Sequence, residues 1–175
     1  MARLHSQVSI QCFNRGLLAF LAFFAYSCAT FAKNCKHDMS NFRCVKYIKN
    51  YDADTITFNI PGTHPLIGKK INIRVSGVDT PEIRTKNKCE KSKARNAKKL
   101  VSNLLKNSTR IDLENIKRGK YFRIVADVVI DGKSLKNYLL KNGFAYSYQG
   151  GTKKKMNWCK TYREIASDNQ NSPGK

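Results

Sequence analysis

The sequence predicts an α+β fold in which a five-stranded β-barrel carries about three packed α-helices. Segments with alternating apolar and polar side chains, typical of half-buried strands, occur before and after one long segment of helical periodicity. Turn pairs such as Pro61-Gly62 and Asp131-Gly132 separate these segments. A chain of 175 residues is long enough for one domain with a proper core and too short for two comfortable ones.

Three strands are predicted before the long helix, at Arg43–Lys49, Thr55–Ile60 and Lys70–Val75. In the third strand, Ile71 and Ile73 lie on the same face as Val75, and we expect that face to be buried. Arg74 therefore lies on the face that points away from the core.

The longest helical pattern spans Glu90–Lys106, where apolar residues recur every three or four positions and basic residues cover the other side. Further strands are predicted at Arg110–Leu113 and Tyr121–Ile130. A short helix begins at the N-cap Ser134 and ends at Gly143, and a last helix spans Lys160–Ala166. This order of elements is compatible with an OB-fold, although periodicity does not establish that the barrel closes.

The N-terminal segment has the layout of a secretory signal peptide. Arg3 and Arg15 precede the apolar run Gly16–Ala25, and small residues lead to Ala32, after which we expect cleavage. A membrane anchor is the alternative, but the run is too short to span a bilayer. Lipid attachment at Cys28 is a weaker alternative, because a bulky tyrosine stands where such sites have a small residue. The expected location is periplasmic or secreted.

The predicted organisation has four parts: a signal peptide at 1–32, an N-terminal arm at 33–42, the folded domain at 43–166 and a flexible tail at 167–175.

The charge of the chain favours a polyanionic partner. It contains 33 Lys and Arg against 12 Asp and Glu, a formal net charge of +21, and cleavage would remove two basic residues and no acidic one. Such an excess repels itself unless phosphates or acidic lipids neutralise it. Nucleic acid is favoured over a membrane surface, because the basic residues are scattered through foldable sequence and no basic amphipathic helix stands out.

Cleavage would leave four of the six cysteines, an even number that suggests disulfides in an exported chain. Three pairings are possible. We favour Cys35 with Cys44, which would staple the N-terminal arm, and Cys89 with Cys159, which would tie the long helix to the C-terminal segment. A zinc site is the alternative, but closely spaced ligand pairs such as Cys-x-x-Cys are absent.

Three short segments then follow one another in a specific order: Asp52–Thr55 (DADT), Ile73–Glu82 (IRVSGVDTPE) and Lys120–Arg123 (KYFR). In order and spacing they resemble the active-site segments of the staphylococcal nuclease (thermonuclease) family, and the resemblance covers roughly 45–148. The middle segment is the most specific, since an Asp-rich turn alone usually satisfies only backbone donors. The resemblance implies an OB-fold and a metal-dependent endonuclease that cuts DNA and RNA and leaves 3′-phosphate ends.

The resemblance also implies a metal site. Asp54 and Asp79 match carboxylates that hold calcium, and Thr80 matches a residue that adds its backbone carbonyl. Hard oxygen donors of this kind suit calcium, with magnesium as the alternative. Glu82 matches the proposed general base for the attacking water.

Further residues match groups that contact the substrate. Arg74 and Arg123 match the two arginines that grip the scissile phosphate, where a guanidinium donates paired hydrogen bonds. Tyr121 matches a tyrosine that contacts a phosphate. Tyr146 and Tyr148 lie where the family places base-stacking aromatics, and we expect one of them to stack. The loop at Thr85–Lys91 is shorter than its counterpart in the staphylococcal enzyme, so the contacts of that loop are not carried over. Its basic residues Lys86 and Lys88 are still expected to meet phosphates.

Two positions depart from the family pattern. Ala53 and Phe122 replace glycines between motif residues, and Phe122 is expected either to crowd Arg123 or to require a different local backbone.

We expect a monomer without a stable protein partner that acts on DNA and RNA and prefers single strands. The rival interpretations are a noncatalytic OB-fold module that binds nucleic acid and a basic envelope protein that binds an anionic polymer or lipid. Retention of every motif acid and arginine favours the enzyme.

Overall fold

The residues at 35–120, 123–153 and 155–171 are described by a computed structural model, and all belong to one compact unit. In chain order the elements are β1 (Lys46–Asn50), β2 (Thr55–Asn59), α1 (Pro65–Gly68), β3 (Ile71–Val75), β4 (Val78–Asp79), α2 (Lys88–Lys106), β5 (Ile111–Arg118), β6 (Ile124–Ile130), β7 (Lys133–Ser134), α3 (Leu135–Lys141), β8 (Tyr146–Ser147) and α4 (Tyr162–Asn171). The predicted signal peptide, its cleavage site and Cys28 lie outside the described residues.

The main sheet has the strand order β1-β2-β3-β6-β5, with β7 paired to β6. Strands β3 and β6 run parallel, and the other pairs in this sheet are antiparallel. The regular ladders of the described strands do not close a barrel. Instead, the segment before β1 contacts the far edge: Phe42 exchanges two 2.8 Å backbone hydrogen bonds with Leu113, and the Val45 amide donates to Ile111 at 2.9 Å. The architecture is the predicted α+β fold and is consistent with an OB-fold.

The core lies between one face of this sheet and α2. Ile56 and Phe58 of β2 and Ile73 of β3 are fully buried, and they belong to one cluster with Ala97 and Val101 of α2. Lysine and arginine side chains on α2 keep its other face soluble. A second, smaller cluster of buried residues contains Tyr146, Trp158 and Ile165.

Several elements differ from the sequence prediction. The short helix α1 and the β4–β8 pair were not predicted. Strand β5 extends to Arg118, because a bulge after Glu114, with Asn115 at φ +52°, restores its pairing with β6. The last predicted helix ends at Ala166, whereas α4 continues through 167–171, which lie in the predicted tail. Asn169 holds this part of the helix in place by donating to the Leu140 and Ala145 carbonyls, at 3.1 and 2.8 Å.

The described cysteines form the two favoured pairs. Cys35 lies 5.3 Å from Cys44 between Cα atoms, and Cys89 lies 5.2 Å from Cys159, each with a disulfide. These distances fall in the usual range for disulfides, and four thiols engaged in this way are not zinc ligands.

Among the described residues, no helix combines the length and the apolar character required to cross a membrane.

Candidate active site

The first motif forms a tight turn that aims Asp54 inward. The Asp52 carboxylate accepts hydrogen bonds from the backbone amides of Asp54 (3.1 Å) and Thr55 (2.7 Å), which is the usual role of aspartate in such a turn. The Asp54 carbonyl in turn accepts from the Val75 amide at 2.8 Å, so the turn is fixed to the end of β3. Ala53, which replaces a glycine of the family pattern, is 1% exposed, and its methyl group packs in the core.

Arg74 connects the first motif to the second. It lies on β3, directly paired with Thr55, and its side chain is 12% exposed. Its guanidinium donates to Asp54 Oδ1 through Nη1, and to the Val78 carbonyl (3.1 Å) and Asp79 Oδ1 (3.3 Å) through Nη2. The structure therefore brings both predicted metal-binding carboxylates to one guanidinium.

Asp54 is the most deeply buried charged group of this cluster. It is 1% exposed, and its Oδ2 accepts from both the amide (3.0 Å) and the hydroxyl (2.7 Å) of Thr80. Burial raises the pKa of Asp54 to about 7; the Arg74 guanidinium opposes this shift, while the nearby Asp52 charge adds to it.

Glu82 lies at the rim of the cluster, with 46% of its side chain exposed. Glu90 of α2 organises the loop that carries it: its carboxylate accepts from the Glu82 amide (3.1 Å) and the Thr85 hydroxyl (2.8 Å). Asn87 caps α2 by accepting from the Glu90 amide at 3.1 Å. This loop therefore holds Glu82 by its backbone and leaves its carboxylate accessible.

Lys153 is a member of the site that the sequence analysis did not identify. Its ammonium lies 2.7 Å from Asp79 Oδ1 and 3.0 Å from Glu82 Oε1, so it joins the two carboxylates. Partial burial lowers the pKa of Lys153, but the hydrogen bonds to Asp79 and Glu82 raise it by more, so the amine stays protonated. In the sequence Lys153 is only one of three adjacent lysines. Its contact with Glu82 joins residues 71 positions apart, so no local sequence pattern predicts it.

The β4–β8 pair explains how Lys153 reaches the site. Asp79 of β4 pairs directly with Tyr146 of β8, and the Tyr148 amide donates to the Gly77 carbonyl at 3.1 Å. The chain then turns back at Gly150 and Gly151, whose φ values of +100° and +83° favour glycine. This turn brings Lys153 back to Asp79, which pairs with the first residue of β8, and to Glu82.

Arg123 lies apart from the carboxylate cluster. In the parallel β3–β6 ladder Arg74 pairs with Val125, so Arg123 stands on the same outer face, two residues before that partner. Its side chain is exposed, and within the described residues it forms no ion pair. The structure thus places both predicted phosphate-binding arginines on one face but leaves Arg123 open to solvent.

The predicted substrate-contacting residues divide into three groups. Tyr146 is 7% exposed and packs edge-on against Trp158, with ring centroids 5.0 Å apart, so it has a core role and is corrected as a base-stacking candidate. Tyr148 is half-buried and stays the candidate for stacking. Lys86 and Lys88 are exposed near the start of α2. Tyr121 and the substituted Phe122 lie outside the described residues.

The oxygen donors present suit a hard divalent cation. Asp54 and Asp79 approach each other through Arg74, and the cluster contains four acidic side chains (with Asp52 and Glu82) against two basic ones in a strongly basic chain. Among the described residues, no group of three or more His, Cys, Asp or Glu side chains is placed so that it could hold a metal ion. An ion held between Asp54 and Asp79 would therefore have two carboxylates as its side-chain ligands. Sites with so few protein ligands are completed by water and substrate phosphates.

Comparisons with known proteins agree with this arrangement. Residues 72–172, more than half of the chain, match the model of a family described as staphylococcal nuclease homologue. The chain is 41% identical over 92 residues to endonuclease YncB of Bacillus subtilis (strain 168), covering 49% of this chain and 43% of that protein. It is 35% identical over 125 residues to the SPbeta prophage-derived endonuclease YokF of the same organism, covering 67% of this chain and 39% of that protein. The chain thus spans about two fifths of the length of these relatives.

Proposed function

Because the chain belongs to the staphylococcal nuclease family, we propose that it is an exported, metal-dependent endonuclease of the thermonuclease type. It hydrolyses phosphodiester bonds of DNA and RNA without selecting the sugar, and it leaves 3′-phosphate ends. The observation that supports this most directly is the convergence of Asp54 and Asp79 on Arg74, with Glu82 beside them through Lys153. The endonuclease names of the two relatives point to the same activity.

Asp54, Asp79 and the carbonyl of Thr80 are the groups that would hold the metal ion. Calcium is the expected ion and magnesium the alternative, since all three donors are hard oxygens. When bound, such an ion offsets the charge that develops on a phosphate oxygen during attack. The placement of Asp54 and Asp79 on the same guanidinium of Arg74 supports this assignment, because it brings the two carboxylates to one point of the fold.

The two arginines have separate tasks in this proposal. Arg74 is held by Asp54, Asp79 and the Val78 carbonyl, which fixes the plane of its guanidinium beside the carboxylates. Arg123 is exposed on the same face of the sheet and reaches the scissile phosphate from the solvent side. A planar guanidinium neutralises growing charge on phosphate oxygens through paired hydrogen bonds, which contribute most in the transition state.

Glu82 accepts the proton of the attacking water. Its carboxylate is accessible at the rim, its backbone is fixed by Glu90, and its contact with Lys153 keeps it beside Asp79. A general base must be able to reach the attacking water, and the accessible position of Glu82 at the rim of the cluster supplies this condition.

The test is digestion of single-stranded DNA and RNA by the purified oxidised protein from Lys33 onward, with calcium, with magnesium and with EDTA. We expect cutting with calcium that EDTA abolishes, and 3′-phosphate ends after partial digestion. Predominant 5′-phosphate ends would reject the proposed bond cleavage. Tight binding without cutting under every metal condition would instead establish a noncatalytic binding module.

The proposal of export rests on the N-terminal layout and on the two disulfides, which persist in oxidising compartments. Expression of the full chain in a bacterium, followed by N-terminal sequencing of the exported product, should give Lys33 as the first residue. A product that keeps its N-terminal segment in the cytoplasm would contradict export.

A further inference from the structure

A groove beside Arg123 combines apolar and basic walls. It encloses about 490 Å³ between α1, the start of β3 and the neighbouring ends of β5 and β6. Leu66, Ile67 and Ile71 form its apolar part, and Arg118, Lys120 and Arg123 form its basic part. Its volume falls within the range of pockets that hold small ligands or one or two nucleotide units.

The apolar wall is held rigidly in solvent. Leu66 is 82% exposed and Ile67 is 60% exposed, although both are large aliphatic residues. They sit on α1, which begins with Pro65, is capped by the His64 side chain and is joined to the end of β2 through the Gly68 carbonyl, which accepts from the Ile60 amide at 2.7 Å. A short helix fixed at both ends presents these side chains at little entropic cost on binding.

Gly68 shows how closely this helix is packed against the chain. A Cβ atom there would lie 1.8 Å from the Thr63 hydroxyl and 2.7 Å from the Ile60 carbonyl. The exposure of Leu66 and Ile67 is therefore a consequence of a tightly fitted turn and not of a loose loop. Exposed apolar patches that are held in place in this way indicate a binding surface.

The charge of the groove selects the class of ligand. Among the residues that the structure describes, its lining includes three basic side chains and no acidic one. An apolar wall beside cations complements a chain that alternates apolar rings with phosphates, which is single-stranded nucleic acid. The bases of a duplex are stacked inside it and cannot reach Leu66 and Ile67, so the groove discriminates against duplexes.

We propose that this groove binds the segment of single-stranded nucleic acid that adjoins the scissile phosphate. The bases contact Leu66 and Ile67, and the phosphates contact Lys120 and Arg118 as the strand leaves Arg123. This inference rests on the proposed function, because it places the reacting phosphate at the carboxylate cluster, and it deepens that proposal by giving a structural basis for single-strand preference.

The test is binding of 5′-labelled oligothymidylates of 2 and 12 nucleotides to the mature protein in EDTA, measured by fluorescence anisotropy. Leu66→Ser/Ile67→Ser should weaken binding of the 12-mer about tenfold. The dinucleotide can place at most one base against these side chains, so its affinity should fall by less. Met39→Ser is the matched control, since Met39 is fully exposed and does not line the groove, and it should change neither affinity.

Salt dependence separates the two walls of the groove. Lys120→Gln should reduce the slope of log affinity against log salt concentration by about 0.7, the value for one phosphate contact on a single strand. Leu66→Ser/Ile67→Ser should lower the affinity without changing this slope. A 12-mer duplex should bind equally to the wild type and to the apolar variant.

Unchanged 12-mer binding in the apolar variant, or no binding of the 12-mer by the wild type, would overturn the groove assignment. Sedimentation that changes from dimer to monomer in that variant would also overturn it, because the patch would then join two copies. The binding assay needs no hydrolysis. If the apolar variant loses affinity for the 12-mer but the wild type cuts no nucleic acid, the proposed function is refuted and the groove assignment stands. If the wild type cuts nucleic acid but the apolar variant keeps its affinity for the 12-mer, the groove assignment is refuted and the proposed function stands.

Discussion

Replacement of Lys153 by glutamine should increase the affinity of the protein for calcium. The Lys153 ammonium lies 2.7 Å from Asp79 and 3.0 Å from Glu82, so it competes directly for a carboxylate assigned to the metal. Glutamine keeps the length of much of the side chain and removes its charge. The competition disappears in the variant, while Asp54, Asp79 and Thr80 are unchanged.

The size of the effect follows from the exposure of the two contacts. The Lys153 side chain is 45% exposed, and its partners Asp79 and Glu82 are 10% and 46% exposed. Because the ammonium group stays in contact with solvent in both ion pairs, each pair contributes only about 0.2–1 kcal/mol. Loss of both pairs on metal binding costs the wild type roughly 0.4–2 kcal/mol. The variant should therefore bind calcium about 2- to 30-fold more tightly.

Isothermal titration calorimetry of the mature protein with calcium at moderate salt measures this difference. Lys155→Gln is the matched control, because it removes the same charge from an exposed lysine two residues away, and it should bind calcium like the wild type. Equal affinities of the wild type and Lys153→Gln would refute the competition. Weaker binding in Lys153→Gln would show that Lys153 supports the site.

Three further predictions concern the stability and the chemistry. Cys89→Ser/Cys159→Ser removes a disulfide between residues 70 positions apart and should lower the free energy of unfolding in urea by about 4 kcal/mol. Removal of the Cys35–Cys44 disulfide, which joins residues nine positions apart, should cost only roughly 2.5 kcal/mol, because the loop it closes is shorter. Equal losses would contradict this chain-entropy argument. The pKa of Asp54 is raised to about 7 in the fold, so in EDTA this residue contributes its full stabilisation below its unfolded pKa. As the pH rises from there to about 7, the free energy of unfolding should fall by up to about 1.4 kcal/mol per pH unit. Asp54→Asn should remove this fall from a series of urea denaturations at different pH, and an unchanged slope would count against the shift. Arg123→Ala should reduce the rate of cutting by about a hundredfold with an unchanged melting temperature, whereas near-normal activity would remove Arg123 from the mechanism.

The sequence was informative where the required residues are close together in the chain. The alternation of Ile71, Ile73 and Val75 against Arg74 correctly predicted the buried and outer faces of β3, because side-chain direction in a strand repeats every two residues. The three motifs could also be identified from the sequence, because the functional groups of each motif lie within a few residues of one another in a turn or at the end of a strand.

Other features were decided only by contacts between distant segments. The sequence placed Tyr146 and Tyr148 as equivalent candidates, and the packing of Trp158 against Tyr146 separated them. It showed Lys153 only as one of several lysines, and the β4–β8 pair brought it to Asp79.

The exposed position of Leu66 and Ile67 also depended on the tertiary structure, because apolar residues in a short connection are usually covered by neighbouring elements. The turn that holds α1 against the end of β2 leaves them in solvent beside Arg118 and Arg123. Local periodicity reports which way a side chain points from its own strand or helix. Which distant group it meets there is set by how the whole chain closes on its core.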